Sequence, residues 1–292
     1  MILSIGEILA DMIGNASNGS MMFDAHCGGA PFNVAVNAKK AGAKVGFLGR
    51  VGADTIGNFL VKEAEKAKLD DLIIQKDLQR NTTLAFVTLD DGERDFSFYR
   101  HDTADFNIDI GSIDFDDENL SIVHLGSLML SEKTGQKLAK TIAKKTKKAG
   151  KLLSFDLNFR MDIYDDFNAA VKAYKPFVDC ADIIKFSDDE LKNYTGIEDV
   201  VCAVESIYRK DTLVVVSLGS KGSFYYVNGI HGIVPTEKVK PIDTTGAGDA
   251  SFGTLLANIE GKEFTKENIE NALVKANKAG AETTQFLGAV KL

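Results

Sequence analysis

The chain is poor in the residues that would mark several protein classes. It has four prolines and no long serine- or glycine-rich tract in its 292 residues, which argues against disordered linkers. Its three cysteines, Cys27, Cys180 and Cys202, are odd in number. Their spacing fits neither a disulfide framework nor a zinc ribbon, so free thiols in a reducing cytoplasm are expected. The four histidines, His26, His101, His124 and His231, form no H-x-x-x-H or H-E-x-x-H pattern, which speaks against transition-metal catalysis. Basic residues are outnumbered, and the net charge of −8 disfavours broad binding to nucleic acid. No stretch approaches the roughly 18 uninterrupted apolar residues of a membrane helix. The apolar N-terminus, MILSIGEILADMIG, is interrupted by Glu7 and Asp11 and has no basic leader, so it reads as a buried strand and not as a signal peptide. A cytoplasmic protein is the expectation.

What remains is 45% hydrophobic and 26% charged residues, enough for a large core and a soluble surface. Short apolar runs alternate with amphipathic stretches. Strands are expected at Leu3–Ile5, 44–48, Ile122–Leu125, 151–156, 183–186 and 213–218. Helices are expected at 31–41, 55–67, 132–149, from about Asp188, and at 250–259. Nearly unbroken apolar strands are typical of a parallel sheet covered on both faces. Two hairpins break the rhythm. One pairs 82–89 with 94–99 across Asp90-Asp91-Gly92-Glu93. The other pairs 224–227 with 230–234 across Asn228-Gly229, a strong two-residue turn. The first hairpin, together with the strand-like 8–13 region, reads as a small β-sheet lid with an apolar face.

The segment Asp243-Thr244-Thr245-Gly246-Ala247-Gly248-Asp249 precedes one expected helix. Small residues at a helix start let backbone N–H groups approach an anion, and the helix dipole adds partial positive charge. A carboxylate at Asp249 is suited to accept the proton of an attacking alcohol in phosphoryl transfer. Spacing alone equally allows an ordinary Asp at a helix N-terminus.

This segment closely resembles the D-T-x-G-A-G-D signature of the PfkB (ribokinase-like) carbohydrate kinases. Further motifs follow in family order. They are Gly28-Gly29-Ala30-Pro31-Phe32-Asn33, Gly49-Arg50-Val51-Gly52-Ala53-Asp54 with Gly57, Val216-Ser217-Leu218-Gly219-Ser220-Lys221-Gly222, and Ala276-Asn277-Lys278-Ala279-Gly280. Thr83–Leu89, Asp91–Arg94, Phe98-Tyr99-Arg100 and Ala181–Lys185 with Asp189-Glu190 are similar to fructokinases within that family.

The resemblance implies an α/β, ribokinase-like, three-layer α/β/α fold. It has a mostly parallel central sheet and forms one kinase domain over 1–292, with a lid from about 8–25 and 82–100. It implies transfer of the ATP γ-phosphoryl group to the 6-hydroxyl of D-fructose, with Asp249 as base and Gly246-Ala247-Gly248 as anion hole. Sugar contacts fall on Asp11, Gly28, Gly29, Asn33 and Phe98, with Arg100 and Arg160 at positions that bind a carboxylate in kinases of acidic sugars. Those two arginines are also suited to gripping phosphate or bracing the lid. Nucleotide contacts fall on Ser187, Ser217, Gly219, Gly222, Thr244 and Asn277. Glu190 would organise Mg²⁺ through water, with Ser187 standing where the family has Asn; Asp243 and Thr245, near the turn at Gly288, would hold K⁺. Pairing of two copies through the apolar lid face is expected. The rivals are a 2-keto-3-deoxygluconate kinase and a non-catalytic sugar or nucleotide sensor. A dinucleotide oxidoreductase is disfavoured because no G-x-G-x-x-G follows the first strand.

Overall fold

In the computed structural model, residues 1–17, 20–90, 93–160, 163–164 and 166–292 are described. In chain order the elements are β1 (Ile2–Ile5), β2 (Leu9–Ser17), β3 (Ser20–Gly28), α1 (Ala30–Lys40), β4 (Val45–Gly52), α2 (Thr55–Glu65), β5 (Asp71–Asp77), β6 (Leu84–Asp90), β7 (Glu93–Tyr99), β8 (Ile122–Leu125) and α3 (Lys133–Lys148). They continue with β9 (Leu152–Asp156), α4 (Phe167–Val178), β10 (Ile183–Ser187), α5 (Asp188–Thr195), α6 (Val200–Ile207), β11 (Leu213–Ser217), β12 (Ser223–Val227), β13 (Ile230–Val234), α7 (Ala247–Ile259) and α8 (Lys266–Thr283).

The large sheet runs β13-β12-β11-β10-β9-β8-β1-β4-β5. The strands from β5 to β11 in this order are parallel, and β12 and β13 add an antiparallel edge. Successive strand residues point to opposite faces, so each apolar run supplies two cores. Leu3, Val123, Ile184 and Val214 enter one core, with Ile142 of α3, Tyr174 and Phe177 of α4 and Val204 of α6. Ile2, Ile122, Ile183 and Val215 enter the other, with Phe32 of α1, Leu60 of α2, Phe252 of α7 and Leu273 of α8. The three-layer α/β/α expectation therefore holds.

The smaller sheet runs β3-β2-β6-β7. It contains the expected hairpin and the 8–13 strand, which extends to Ser17. Its fourth member, β3, lies where no strand is expected from sequence. β2 and β3 pair from Leu9↔Gly28 to Ser17↔Ser20. The two central residues of the turn expected at 90–93, Asp91 and Gly92, lie outside the described residues. The Asn228-Gly229 turn is present, with φ of 48° and 81° at its two residues. The loop before β6 is fixed to α2 by Asp54, whose carboxylate caps α2 through Gly57 N and accepts from Thr82 N and Thr82 Oγ1.

Among the described residues, no helix is long and apolar enough to cross a membrane. Cys27, Cys180 and Cys202 are unpaired.

Candidate active site

The C-terminal ends of β9, β10 and β11 open toward the smaller sheet, the usual place for ligands in an open α/β sheet. Two helix N-termini meet there. The start of α1 is Gly29 at φ 110°, where a Cβ would lie 2.6 Å from the Glu7 carbonyl oxygen. The start of α7 is Gly246 at φ 76°, packed against the backbone of Ala289. Helix α7 begins at Ala247, three residues before the expected start at Ala250. The left-handed Gly246 turns the chain so that the N–H groups of Gly248 and Asp249 fall in the first helical turn, where no carbonyl within the helix can accept them.

Asp249 thus projects from the first turn of α7 toward α1. Its Oδ2 accepts a hydrogen bond from Asn33 Nδ2 at 2.8 Å, while Asn33 Oδ1 is buried without a partner among the described residues. Removal from water is the largest influence on Asp249 and raises its pKa to about 6. The bond from Asn33 opposes this, Asp156 adds to it, and Lys185 and Arg160 oppose it. Asp11 is raised to about 7, again first by burial, then by Asp249, with Arg160 acting the other way. Gly28 does not line the cavity; its lack of a side chain makes room for Asp11, whose Oδ2 would lie 2.1 Å from a Cβ there.

A cavity of about 480 Å³ gathers Asp11, Gly29, Asn33, Phe98, Arg160, Ser187, Glu190, Ser217, Thr244, Thr245, Gly246, Gly248 and Asp249 from the expected set. It also takes Glu7, Asp156 and Lys185, none of which is among the expected site residues, although Lys185 ends the fructokinase-like Ala181–Lys185 segment. Phe98 closes it from the smaller sheet, packed on Leu9, Ala85 and Leu128. A second cavity of about 520 Å³ is lined by Ser217, Gly219, Gly222, Thr244, Ala247, Gly248 and Asn277. The two cavities share Ser217, Thr244 and Gly248, so they meet at the start of α7.

Two expected ligand residues are committed elsewhere. Arg100 does not line the first cavity. Its buried guanidinium pairs with Asp105, donates to Leu128 O and Ser131 Oγ, and lies 4.0 Å over the Phe106 ring. These bonds suit the brace among its expected roles; among the described residues only Nε is left without a partner, and Arg100 does not reach the first cavity. Asn277 forms part of the second cavity wall, but its amide accepts from Ser223 Oγ and donates to Val234 O, fixing α8 to the β12–β13 hairpin.

Glu190 closes a capping box on α5, with Oε2 accepting from Ser187 N and Oε1 from Phe159 N. Each oxygen accepts one of these bonds and keeps further acceptor capacity, and Glu190 lines the first cavity. Among the described residues, no three His, Cys, Asp or Glu side chains form a metal cluster. A hydrated Mg²⁺ held through water and phosphate suits this donor set better than a protein cage would. Asp243 is buried and accepts from Thr245 N and Gly288 N, joining the α7 loop to the C-terminal turn.

A family model described as pfkB family carbohydrate kinase matches residues 1–291. The chain belongs to the pfkB family of carbohydrate kinases. It is an ATP-dependent sugar kinase with the ribokinase-like fold. This kinase is 36% identical to probable fructokinase-5 of Arabidopsis thaliana and 36% identical to fructokinase-1 of Zea mays. Each alignment covers 99% of this chain and 93% of the relative. Among solved structures it resembles fructokinase of Vibrio cholerae in its fructose, ADP and calcium ion bound form, with a TM-score of 0.87 and 28% identity. That alignment covers 99% of the kinase and 94% of the neighbour. Fructokinase of Xylella fastidiosa with bound ATP matches equally, with a TM-score of 0.87 and 28% identity over 99% of the kinase and 93% of that chain.

Proposed function

We propose that the kinase transfers the γ-phosphoryl group of ATP to the 6-hydroxyl of D-fructose. The observation that carries this reading is the meeting of two cavities at the start of α7, with the Asn33-held Asp249 on one side. ATP would lie in the second cavity, along Gly219, Gly222, Thr244 and Asn277, with Ser217 and Ser187 toward its phosphates. The sugar would lie in the first. There Asp11 accepts paired hydroxyl protons, Asn33 Oδ1 accepts another, Gly29 allows close approach and Phe98 covers the apolar edge. Arg160 lies between Asp11 and Asp249 in charge terms, lowering the proton affinity of both.

Asp249 would take the proton of the 6-hydroxyl as the oxygen–phosphorus bond forms and the bond to the ADP oxygen breaks. The N–H groups of Gly246 and Gly248 would meet the negative charge on the equatorial oxygens, whereas that of Ala247, also expected there, donates to Thr244 O at 3.3 Å. Mg²⁺, held by the phosphates and through water by Glu190, would neutralise charge on the nucleotide. Asp243, Thr245 and the Gly288 turn would seat K⁺ beside the anion hole. The chain would act as one kinase domain whose smaller sheet is a lid that excludes water from the transfer.

The 2-keto-3-deoxygluconate reading needs two arginines at the substrate carboxylate, and the pairing of Arg100 with Asp105 removes one. A coupled assay with Mg²⁺-ATP across fructose, 2-keto-3-deoxygluconate, ribose and adenosine is expected to give turnover with fructose at a kcat/KM at least about tenfold above the others, a preference of about 1.4 kcal/mol. Turnover of the keto-acid with none of fructose would sink the reading.

Met21 and Tyr99, on one face of the smaller sheet, are exposed, which supports pairing of two copies through that face. Light scattering at micromolar concentration is expected to give twice the chain mass; a monomer there contradicts the pairing. The unpaired cysteines fit a reducing cytoplasm.

A further inference from the structure

Asp156 ends β9, and Lys185 is its neighbour on β10. Lys185 Nζ donates to Asp156 at 2.9 and 2.7 Å, to Oδ1 and Oδ2 respectively. Both side chains are at least nine-tenths buried, 8% and 5% exposed. A buried ion pair is weak support for a fold, since apolar residues of similar volume serve as well or better. Its position suggests another use. Both residues line the first cavity with Gly248 and Asp249. A Cβ on Gly248 would lie 3.3 Å from Nζ, so the missing side chain brings the ammonium against the first turn of α7. Gly248 borders both cavities. Burial acts to discharge Lys185, but Asp156, Glu190 and Asp249 outweigh it and hold the amine protonated.

We propose that Lys185 is a further catalytic residue, whose ammonium meets the phosphoryl group beneath Gly248 as it passes between the cavities, and that Asp156 is the positioning residue that holds it there. The lysine forms no covalent bond and keeps its proton. It donates hydrogen bonds to equatorial oxygens whose charge rises during transfer, in a site where burial strengthens that interaction. This rests on the reading of α7 as the anion hole.

The test uses the full chain with Lys185→Met, Lys185→Arg and the double variant Lys185→Met/Asp156→Asn. The double variant leaves no unpaired buried charge where the single one fails to fold. Steady-state kinetics are read with equilibrium binding of an imido-bridged ATP analogue and of ADP. Lys185→Met and the double variant are expected to lose kcat by about 10²–10³, with both KM values within about threefold, the size seen when one oxyanion donor is removed. They are also expected to lose about tenfold of the preference for the analogue over ADP, and Lys185→Arg to recover part of both. A merely structural role would leave that preference unchanged. The titration needs no sugar, so it reads Lys185 even if fructose is the wrong substrate. Asp249→Asn, which keeps the lysine, is expected to retain the preference, which separates loss of the base from loss of the cation. A folded Lys185→Met or double variant with kcat within threefold of the parent, or with an unchanged preference for the analogue, overturns the proposal.

Discussion

Asp249→Asn is expected to lower kcat by about 10²–10⁴, the usual contribution of a positioned general base. Substrate affinity should change little, because asparagine keeps the shape of the side chain and Asn33 can still hold it by an amide-to-amide bond. The pH profile makes the assignment more specific. The base works only when ionised, and burial places its proton affinity near pH 6 in the free enzyme. Asp11 is raised to about 7, first by burial and then by the charge on Asp249, so two carboxylates shape the acid limb. The parent kcat/KM should therefore fall as pH drops through about 7 to 6 and be flat above. Whatever activity Asp249→Asn retains should lose the part of that limb due to the base. Steady-state kinetics from pH 5 to 9 check both statements, and a variant within tenfold of the parent at pH 8 would remove Asp249 from the role.

Glu7→Gln is expected to stabilise the unliganded protein at alkaline pH. Glu7 is 1% exposed, and both its carboxyl oxygens lack a hydrogen-bond partner among the described residues. Burial raises its pKa from about 4.5 to about 8; Arg100 opposes the rise, while Asp105 and Asp249 add to it. Because the folded value lies above the unfolded one, the proton-linked stability is fully present below about pH 4.5. It is lost progressively as pH rises through 8. At about 1.4 kcal/mol for each tenfold in proton affinity, the loss by pH 8.5 is about 3–5 kcal/mol. An amide in place of the acid avoids it. Urea unfolding should show the variant close to the parent at pH 4.5 and well above it at pH 8.5. A variant less stable than the parent at the higher pH would contradict this account. Such a site trades stability for function, as cavity-lining polar groups commonly do.

The layers of the fold were legible because their signal is periodic. Unbroken apolar strands such as Leu213–Ser217 and the amphipathic helices between them need little tertiary information. Strand β3 was not legible: adjacent Met21 and Met22 break the alternation, and only its partner β2 pins its register. In the site, the Gly-Gly and Gly-Ala-Gly segments announced close backbone approaches. For Arg100 the sequence left binding a carboxylate, gripping phosphate and bracing the lid all open, because the ion pair with Asp105, five residues along, shows only in the fold. Lys185 and Asp156 escaped because each reads alone as a polar residue in an apolar strand, Lys185 within β10 and Asp156 at the end of β9, and the likeness over Ala181–Lys185 gives the lysine no role. Their signal lies in register: opposite charges facing each other on neighbouring buried strands.

The place of β1 in the large sheet has a consequence for how the chain reaches this structure. Its four residues lie between β4 and β8, hydrogen-bonded to both. The middle of the sheet therefore cannot close until Ile122–Leu125 has been synthesised, with the whole smaller sheet made in between. Such long-range parallel pairing requires loop closure before any contact repays it, which makes folding slow. Until then, a nearly water-free strand such as Ile2–Ile5 has one open edge. The nascent kinase is at its most vulnerable to misassociation there.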